Sequence, residues 1–316
     1  MKNLIRIGTR GSKLALWQAE HVHSLLRERH PECHFEIVTI KTTGDQDTSR
    51  SIQSLGTKNV FVKEIEEALL DRQIDMAVHS LKDLSSETPK GLSLAAFLGG
   101  VSRQDALLTN DKKSWKDLSC GARVASGSLR RVFQLKKMRS DLEFVSVRGN
   151  VDTRVRKLED GQFEALILAS AGLERLGLTQ KISHLFSVSE MVPAGGQGIM
   201  TVELRAEDTS LKKILDSIQN PSVEWNARIE FAFIREMGAG CDTPLGVLAE
   251  RKNTGETLVS MFVATPSGEA AIFLQKEMKV SSAEETGAQL ASWVRSEWKR
   301  KLGFDWVREG ELGKLL

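Results

Sequence analysis

Short apolar runs alternate with segments of helical periodicity through the first two-thirds of the chain. Leu4-Ile5-Arg6-Ile7-Gly8 predicts a strand that Thr9-Arg10-Gly11-Ser12 breaks, and Leu14, Trp17, Val22, Leu25 and Leu26 then share one helix face. Phe35 to Thr42 and Ile74 to Val78 predict further strands, with a helix over Phe61 to Leu70 between them. Leu92 to Leu98, Ala106 to Thr109, Arg123 to Ala125, Glu143 to Val147 and Ala165 to Ala169 continue as short buried strands separated by helices. Such alternation predicts an α/β protein whose sheets are mostly parallel and covered on both faces.

Gly99-Gly100 and Pro193-Ala194-Gly195-Gly196-Gln197-Gly198 punctuate this pattern, and the strand expected from Ile199 to Leu204 returns to the first domain. After Asn220-Pro221 the pattern changes. A helix over Val223 to Glu236 leads into a small-residue loop, Met237-Gly238-Ala239-Gly240-Cys241-Asp242-Thr243-Pro244. Leu258 to Ala264 and Ala270 to Lys279 then read as antiparallel strands around Pro266-Ser267-Gly268. A closing helix, Ala283 to Lys301, carries Leu290, Trp293, Val294 and Trp298 at a spacing that suits core packing. The expected domains are 1–99 with 200–219, 100–199, and a small α+β domain over 220–316.

Composition narrows the class. With 316 residues, 41% hydrophobic and 27% charged, the chain has the material for two or three soluble domains with real cores. No run approaches the ~18–20 uncharged apolar residues of a membrane span, and Arg6 interrupts any signal-peptide core. Cys33, Cys120 and Cys241 are odd in number and form no C-x-x-C pair, so neither a disulfide framework nor a metal site is expected; a reducing cytoplasm fits. His30-Pro31-Glu32-Cys33-His34 reads as a surface turn, because its spacing matches no usual zinc pattern.

A net charge of +2 argues against a general nucleic-acid binder, but the charge is unevenly spread. Between Arg123 and Lys157 ten basic residues face three acidic ones, which calls for an anionic partner. Ligands of α/β sheets sit where strands run into helix N-termini. Thr9-Arg10-Gly11-Ser12, Ser126-Gly127-Ser128-Leu129-Arg130-Arg131 and Val147-Arg148-Gly149-Asn150-Val151-Asp152-Thr153-Arg154 are three such junctions. Each places guanidinium beside small or hydroxyl residues, which suits carboxylates or phosphates. Asp83, in Val78-His79-Ser80-Leu81-Lys82-Asp83-Leu84, follows a strand directly among cations; it reads either as a helix N-cap or structural ion-pair partner, or as a carboxylate facing a cationic intermediate or shuttling protons.

Taken together, these blocks resemble the porphobilinogen deaminase family across nearly the whole chain. Ile7-Gly8-Thr9-Arg10-Gly11-Ser12 with Ala15-Leu16-Trp17-Gln18-Ala19, Lys58 with Phe61-Val62-Lys63-Glu64, Ala77 to Asp83, and Ser128 to Arg131 occur in the family's order. Arg148-Gly149-Asn150-Val151, Leu173 to Leu178, Gly196-Gln197-Gly198, and Gly240-Cys241 with Pro244 complete the set. The resemblance implies two periplasmic-binding-protein-like α/β domains around a cleft plus a small C-terminal α+β domain. It implies a dipyrromethane cofactor held by Cys241 through a thioether, and a monomer that adds four porphobilinogen molecules with loss of ammonia. The released hydroxymethylbilane is expected to pass to uroporphyrinogen III synthase. By the same analogy Asp83 is catalytic, while Arg10, Ser12, Lys58, Ser80, Lys82, Ser128, Arg130, Arg131, Arg148, Arg154, Arg175 and Gln197 bind cofactor or substrate.

Departures from the family's pattern fall at Thr43, Ser54, Leu84-Ser85, Val101 to Asp105, Ala125-Ser126 and Ala239. Two other classes share some of these features: an anion-binding transport or regulatory protein with the same two-domain plan, and a thiol hydrolase pairing Cys241 with His79.

Overall fold

The computed structural model describes residues 4–43, 62–240 and 243–306. In chain order the elements are β1 (Leu4–Arg10), α1 (Lys13–Arg29), β2 (His34–Ile40), α2 (Lys63–Leu70), β3 (Met76–Ser80), a 3-10 turn (Leu81–Asp83), β4 (Leu92–Leu98), β5 (Asp105–Thr109) and β6 (Arg123–Ala125). There follow α3 (Leu129–Met138), β7 (Glu143–Val145), α4 (Val151–Glu159), β8 (Ala165–Ala169), α5 (Ser170–Arg175), β9 (Ile182–Leu185), β10 (Met200–Arg205) and α6 (Thr209–Asp216). The last elements are α7 (Pro221–Met237), β11 (Leu245–Arg251), β12 (Thr257–Ala264), β13 (Ala271–Met278) and α8 (Ala283–Leu302). Two compact units emerge: Met1–Ser102 with Ala171–Leu178 and Gly198–Glu224, and Arg103–Ser170 with Thr179–Gln197 and Trp225–Leu316.

The first unit is a five-stranded sheet in the order β2-β1-β3-β10-β4. On one face Ile5, Ile7, Val78 and Val202 pack against Ala19, Val22 and Leu26 of α1 and Leu211 and Leu215 of α6. On the other, Ile65 and Leu69 of α2 cover Ala77 and Leu92. Each such fully buried aliphatic side chain contributes about 1.5–3 kcal/mol. α1 begins where it does because the Ser12 hydroxyl accepts a hydrogen bond from the Ala15 N–H at 3.3 Å.

In the second unit the order β7-β6-β8-β5-β9 follows the same plan. Neither sheet is mostly parallel, contrary to the pattern-based expectation. β1, β2 and β3 are parallel, but β10 runs antiparallel to both β3 and β4. Likewise β6, β7 and β8 are parallel while β5 runs antiparallel to β8 and β9. The reason lies in where the chain enters. Met200 starts opposite Ser80, the last residue of β3, so β10 has to run back along it.

The second unit also holds the antiparallel sheet β11-β12-β13. Its strands pack Val247, Met261 and Leu274 against Phe233 of α7 and Leu290, Val294 and Trp298 of α8. Trp298 is fully buried, edge-on to Phe304 and Trp306, and so belongs to the core as its spacing implies. Strand β11 was not expected; its short apolar run, Leu245 to Ala249, contains Gly246 and only one β-branched residue. Glycine is required there: a Cβ would lie 2.7 Å from the Val192 carbonyl and 2.9 Å from that of Pro193. Among the described residues no helix is long and apolar enough to cross a membrane. No described group of His, Cys, Asp or Glu could hold a metal ion.

Candidate functional site

In the first unit β1 and β3 are parallel neighbours with Gly8 opposite Ala77, so both finish at one edge of the sheet. Arg10 closes β1 there, and Ser80, Lys82 and Asp83 follow from β3. The Leu81 N–H donates to the Ile199 carbonyl (2.9 Å) and the Leu84 N–H to that of Leu81 (3.1 Å), which fixes the tight turn carrying Asp83. Asp83 itself is exposed, while Lys82 and Arg10 are half-buried. The Ser80 hydroxyl accepts from the Gln18 side-chain amide at 2.9 Å.

Arg175 reaches the same edge. Its Nη2 donates to the Gly198 carbonyl, just ahead of β10, at 2.7 Å, and the guanidinium lies 6.0 Å over the Trp17 ring. Only 6% of Arg175 is exposed, and burial pushes its pKa down to about 10, leaving it charged at neutral pH. Its Nε is buried without a hydrogen-bond partner among the described residues.

The second unit repeats the arrangement at the ends of β6 and β7. Ser128 caps α3 by backbone geometry alone, so its hydroxyl is not spent on the helix. Arg154, on the first turn of α4, donates from Nε to the Gly149 carbonyl at 2.7 Å. Its Nη1 lies 3.8 Å from where a Cβ on Gly127 would be, which brings the two strand-end loops together. Gly149 has φ +111°, a left-handed conformation that glycine tolerates best, and this bend turns the backbone carbonyl to Arg154. Arg148 has a buried Nη1 with no hydrogen-bond partner among the described residues.

Arg130 and Arg131 converge on a residue that sequence reasoning did not single out. Nη1 of Arg130 donates to Asp105 Oδ2 (2.7 Å) and to the Val192 carbonyl (2.6 Å), and Nε of Arg131 donates to Asp105 Oδ1 at 2.8 Å. Gln197 completes the cluster, donating to Asp105 Oδ1 at 3.0 Å while its Oε1 accepts from Arg131 at 3.4 Å. Burial alone would raise the Asp105 pKa, but the two guanidiniums outweigh it and hold the carboxyl well below the usual range. Among the described residues this cluster sets two guanidiniums against one carboxylate.

Arg103 was likewise read only as part of a loose block. It makes a bidentate pair with buried Glu230 of α7 at 2.7 and 2.5 Å, and Glu230 also accepts from the Gly196 and Ala249 N–H groups. The one available signal was an acid on the apolar face of a helix. Asp105→Asn is expected to destabilise the protein by about 3–5 kcal/mol, since it strands two buried guanidiniums. Urea unfolding of the variant, with a midpoint unchanged from the parent, would show the cluster to be dispensable.

Cys241 and Lys58 lie outside the described residues. Around the former, the Gly240 N–H donates to the Thr243 hydroxyl at 2.9 Å, and the Thr243 N–H donates to the Gly240 carbonyl at 3.2 Å. His79 is buried beside Glu203 in the first unit, which gives the thiol-hydrolase alternative no support.

Two α/β units whose parallel-strand ends carry guanidiniums, hydroxyls and helix starts, with one exposed carboxylate among the cations, define a protein that handles a small polyanion. The chain belongs to the porphobilinogen deaminase family. Residues 5–213 match the family's dipyrromethane cofactor-binding domain and residues 226–295 its C-terminal domain. The porphobilinogen deaminase of Syntrophomonas wolfei is 43% identical over 92% of this chain and 94% of its own length. That of Thermus thermophilus is 41% identical over 95% and 98%. A putative methionine-binding lipoprotein from Bacillus subtilis aligns with 70% of this chain and 92% of its own, at 13% identity and a TM-score of 0.44.

The residues present fit a dipyrromethane. Each of its pyrroles carries an acetate and a propionate, and Nη1 of Arg148 and Nε of Arg175 are buried donors without acceptors among the described residues.

Proposed function

We propose that this chain joins four porphobilinogen molecules head to tail, with loss of ammonia, onto a dipyrromethane held by Cys241, and releases hydroxymethylbilane. It is a transferase of tetrapyrrole biosynthesis. The alternative of an anion transporter or regulator is not favoured, because it gives no role to an exposed aspartate among strand-end cations. The observation that carries the residue assignment is the buried Nη1 of Arg148, a charged donor with no acceptor among the described residues.

Bound at Cys241, the dipyrromethane supplies the nucleophilic pyrrole carbon to which the first substrate is joined. The chain's own residues do the rest. Arg10, Ser12, Ser80, Lys82 and Arg175 hold carboxylates from the first unit; Ser128, Arg148 and Arg154 hold them from the second, which also carries the Arg130–Arg131–Gln197–Asp105 cluster. Lys58 is assigned the same task. Asp83 accepts hydrogen bonds from pyrrole N–H groups, and its negative charge faces the cation left when the incoming aminomethyl group loses ammonia.

Arg148→Leu tests this directly. The expected result is a folded protein in which intact-mass spectrometry finds only a minor fraction carrying the dipyrromethane increment, with chain extension slowed at least tenfold in the loaded fraction. Full loading and parental kinetics would remove Arg148 from the site.

A further inference from the structure

Three buried titratable side chains meet in the first unit, on the far side of β3 from α1. Glu66 of α2, His79 of β3 and Glu203 of β10 are 8%, 6% and 1% exposed. His79 Nε2 and Glu203 Oε2 lie 3.2 Å apart, yet neither atom has a hydrogen bond of good geometry. Glu66 and Glu203 line a crevice together with Leu84 and Ser85, the two residues that follow Asp83. Glu203 therefore has His79 as its counterpart, whereas Glu66 has no ion-pair partner among the described residues.

We propose that Glu66 is a second negative charge of the active site, acting from beneath the Asp83 turn on the cation that forms there and setting the pH at which turnover rises. This rests on the assignment of Asp83 as the carboxylate that faces that cation.

The groups around Glu66 decide the sign. From β3 it faces His79 and from β10 Glu203, while β4 contributes no charged residue. Arg205, further along β10, is spent on the Leu69 and Ile74 carbonyls and on Asp75. Glu87, on the segment after the turn, lines the same crevice, and Glu67 on α2 is bridged to Lys63. Of this set only His79 favours a newly formed carboxylate, and it is outweighed by burial and Glu203. Burial first, and then the neighbouring Glu203, push the Glu66 pKa up to about 7. Below that pH Glu66 is neutral; above it the cluster gains one negative charge that His79 offsets only in part.

That charge sits behind a roof formed in part by Leu84, which is 8% exposed, so water screens it poorly. A negative charge favours a cation forming close by. A unit charge roughly 10 Å away alters a rate on the order of tenfold at an effective dielectric of about 20.

The test is the kcat profile of the cofactor-loaded chain from about pH 5 to about pH 9. The parent is expected to rise on the order of tenfold through about pH 7. Glu66→Gln is expected to stay at the low-pH level throughout, with KM unchanged. Glu203→Gln removes the repulsion that helps raise the Glu66 pKa, so its rise should move to lower pH; this variant carries the test if Glu66→Gln does not fold. A rise that persists unmoved in either variant overturns the inference. Asp83→Ala, measured alongside, separates the two assignments. Near-parental turnover in it sinks the Asp83 reading, whereas an inactive Asp83→Ala beside an unaltered Glu66→Gln sinks only the role of Glu66.

Discussion

Cys241→Ser is expected to yield a folded chain of bare polypeptide mass with no measurable turnover. The substitution exchanges one atom, and the described residues on either side, Gly240 and Thr243, bond to each other. Chemistry is where the change bites. A thiol is a few per cent thiolate at neutral pH and a strong nucleophile, while a serine hydroxyl without a base is neither. Neither remaining cysteine is expected to stand in. Cys33 is 6% exposed, and burial, aided by Glu32, raises its thiol pKa. Cys120 is exposed but lies five residues ahead of β6's last residue, Ala125, at the opposite end of that strand from the Ser126–Arg131 junction. Intact-mass spectrometry with peptide mapping decides the matter. A dipyrromethane increment that survives in Cys241→Ser, on either other cysteine, would break the link between this residue and the activity.

The junctions at Arg10 and Arg148 were legible because each follows a short apolar strand and precedes a helix start, with Arg154 on that helix's first turn, and Asp83 because it follows a strand directly; all of these signals are local. What joins Arg130 and Arg131 to Asp105 is not local: the carboxylate opens a different strand, 25 residues upstream of Arg130. The same limit hid Glu203. Every residue of β10 is buried, so Met-Thr-Val-Glu-Leu-Arg looks like a strand with two misplaced charges until His79 and Asp75 are seen beside it. Strand direction was also invisible. A central strand covered on both faces needs the same apolar run whether its neighbours are parallel or antiparallel. Helix α6 was not expected because it is only two turns long, although Asp208 caps it by accepting from the Leu211 N–H at 3.3 Å.

Asp83→Ala is expected to keep the fold and the covalent cofactor while lowering turnover about 10²–10³-fold, the range seen when one preorganised electrostatic group is removed. Stability should change little. The side chain is exposed, and the turn that carries it is held by backbone bonds from Leu81 to Ile199 and from Leu84 to Leu81. Loading should survive because the carboxylate-binding donors, Arg148 above all, are untouched. Asp83→Asn then separates two contributions. The amide still accepts a pyrrole N–H but carries no charge, so a loss close to that of alanine assigns the effect to cation stabilisation, and a small loss assigns it to hydrogen bonding. Single-turnover rates on protein shown by mass to be fully loaded make the comparison, because they exclude differences in cofactor assembly. Rates within twofold of the parent in Asp83→Ala would leave the strand-end cations as a binding site only, and the carboxylate facing the cation would have to be sought elsewhere at the same edge of the sheet.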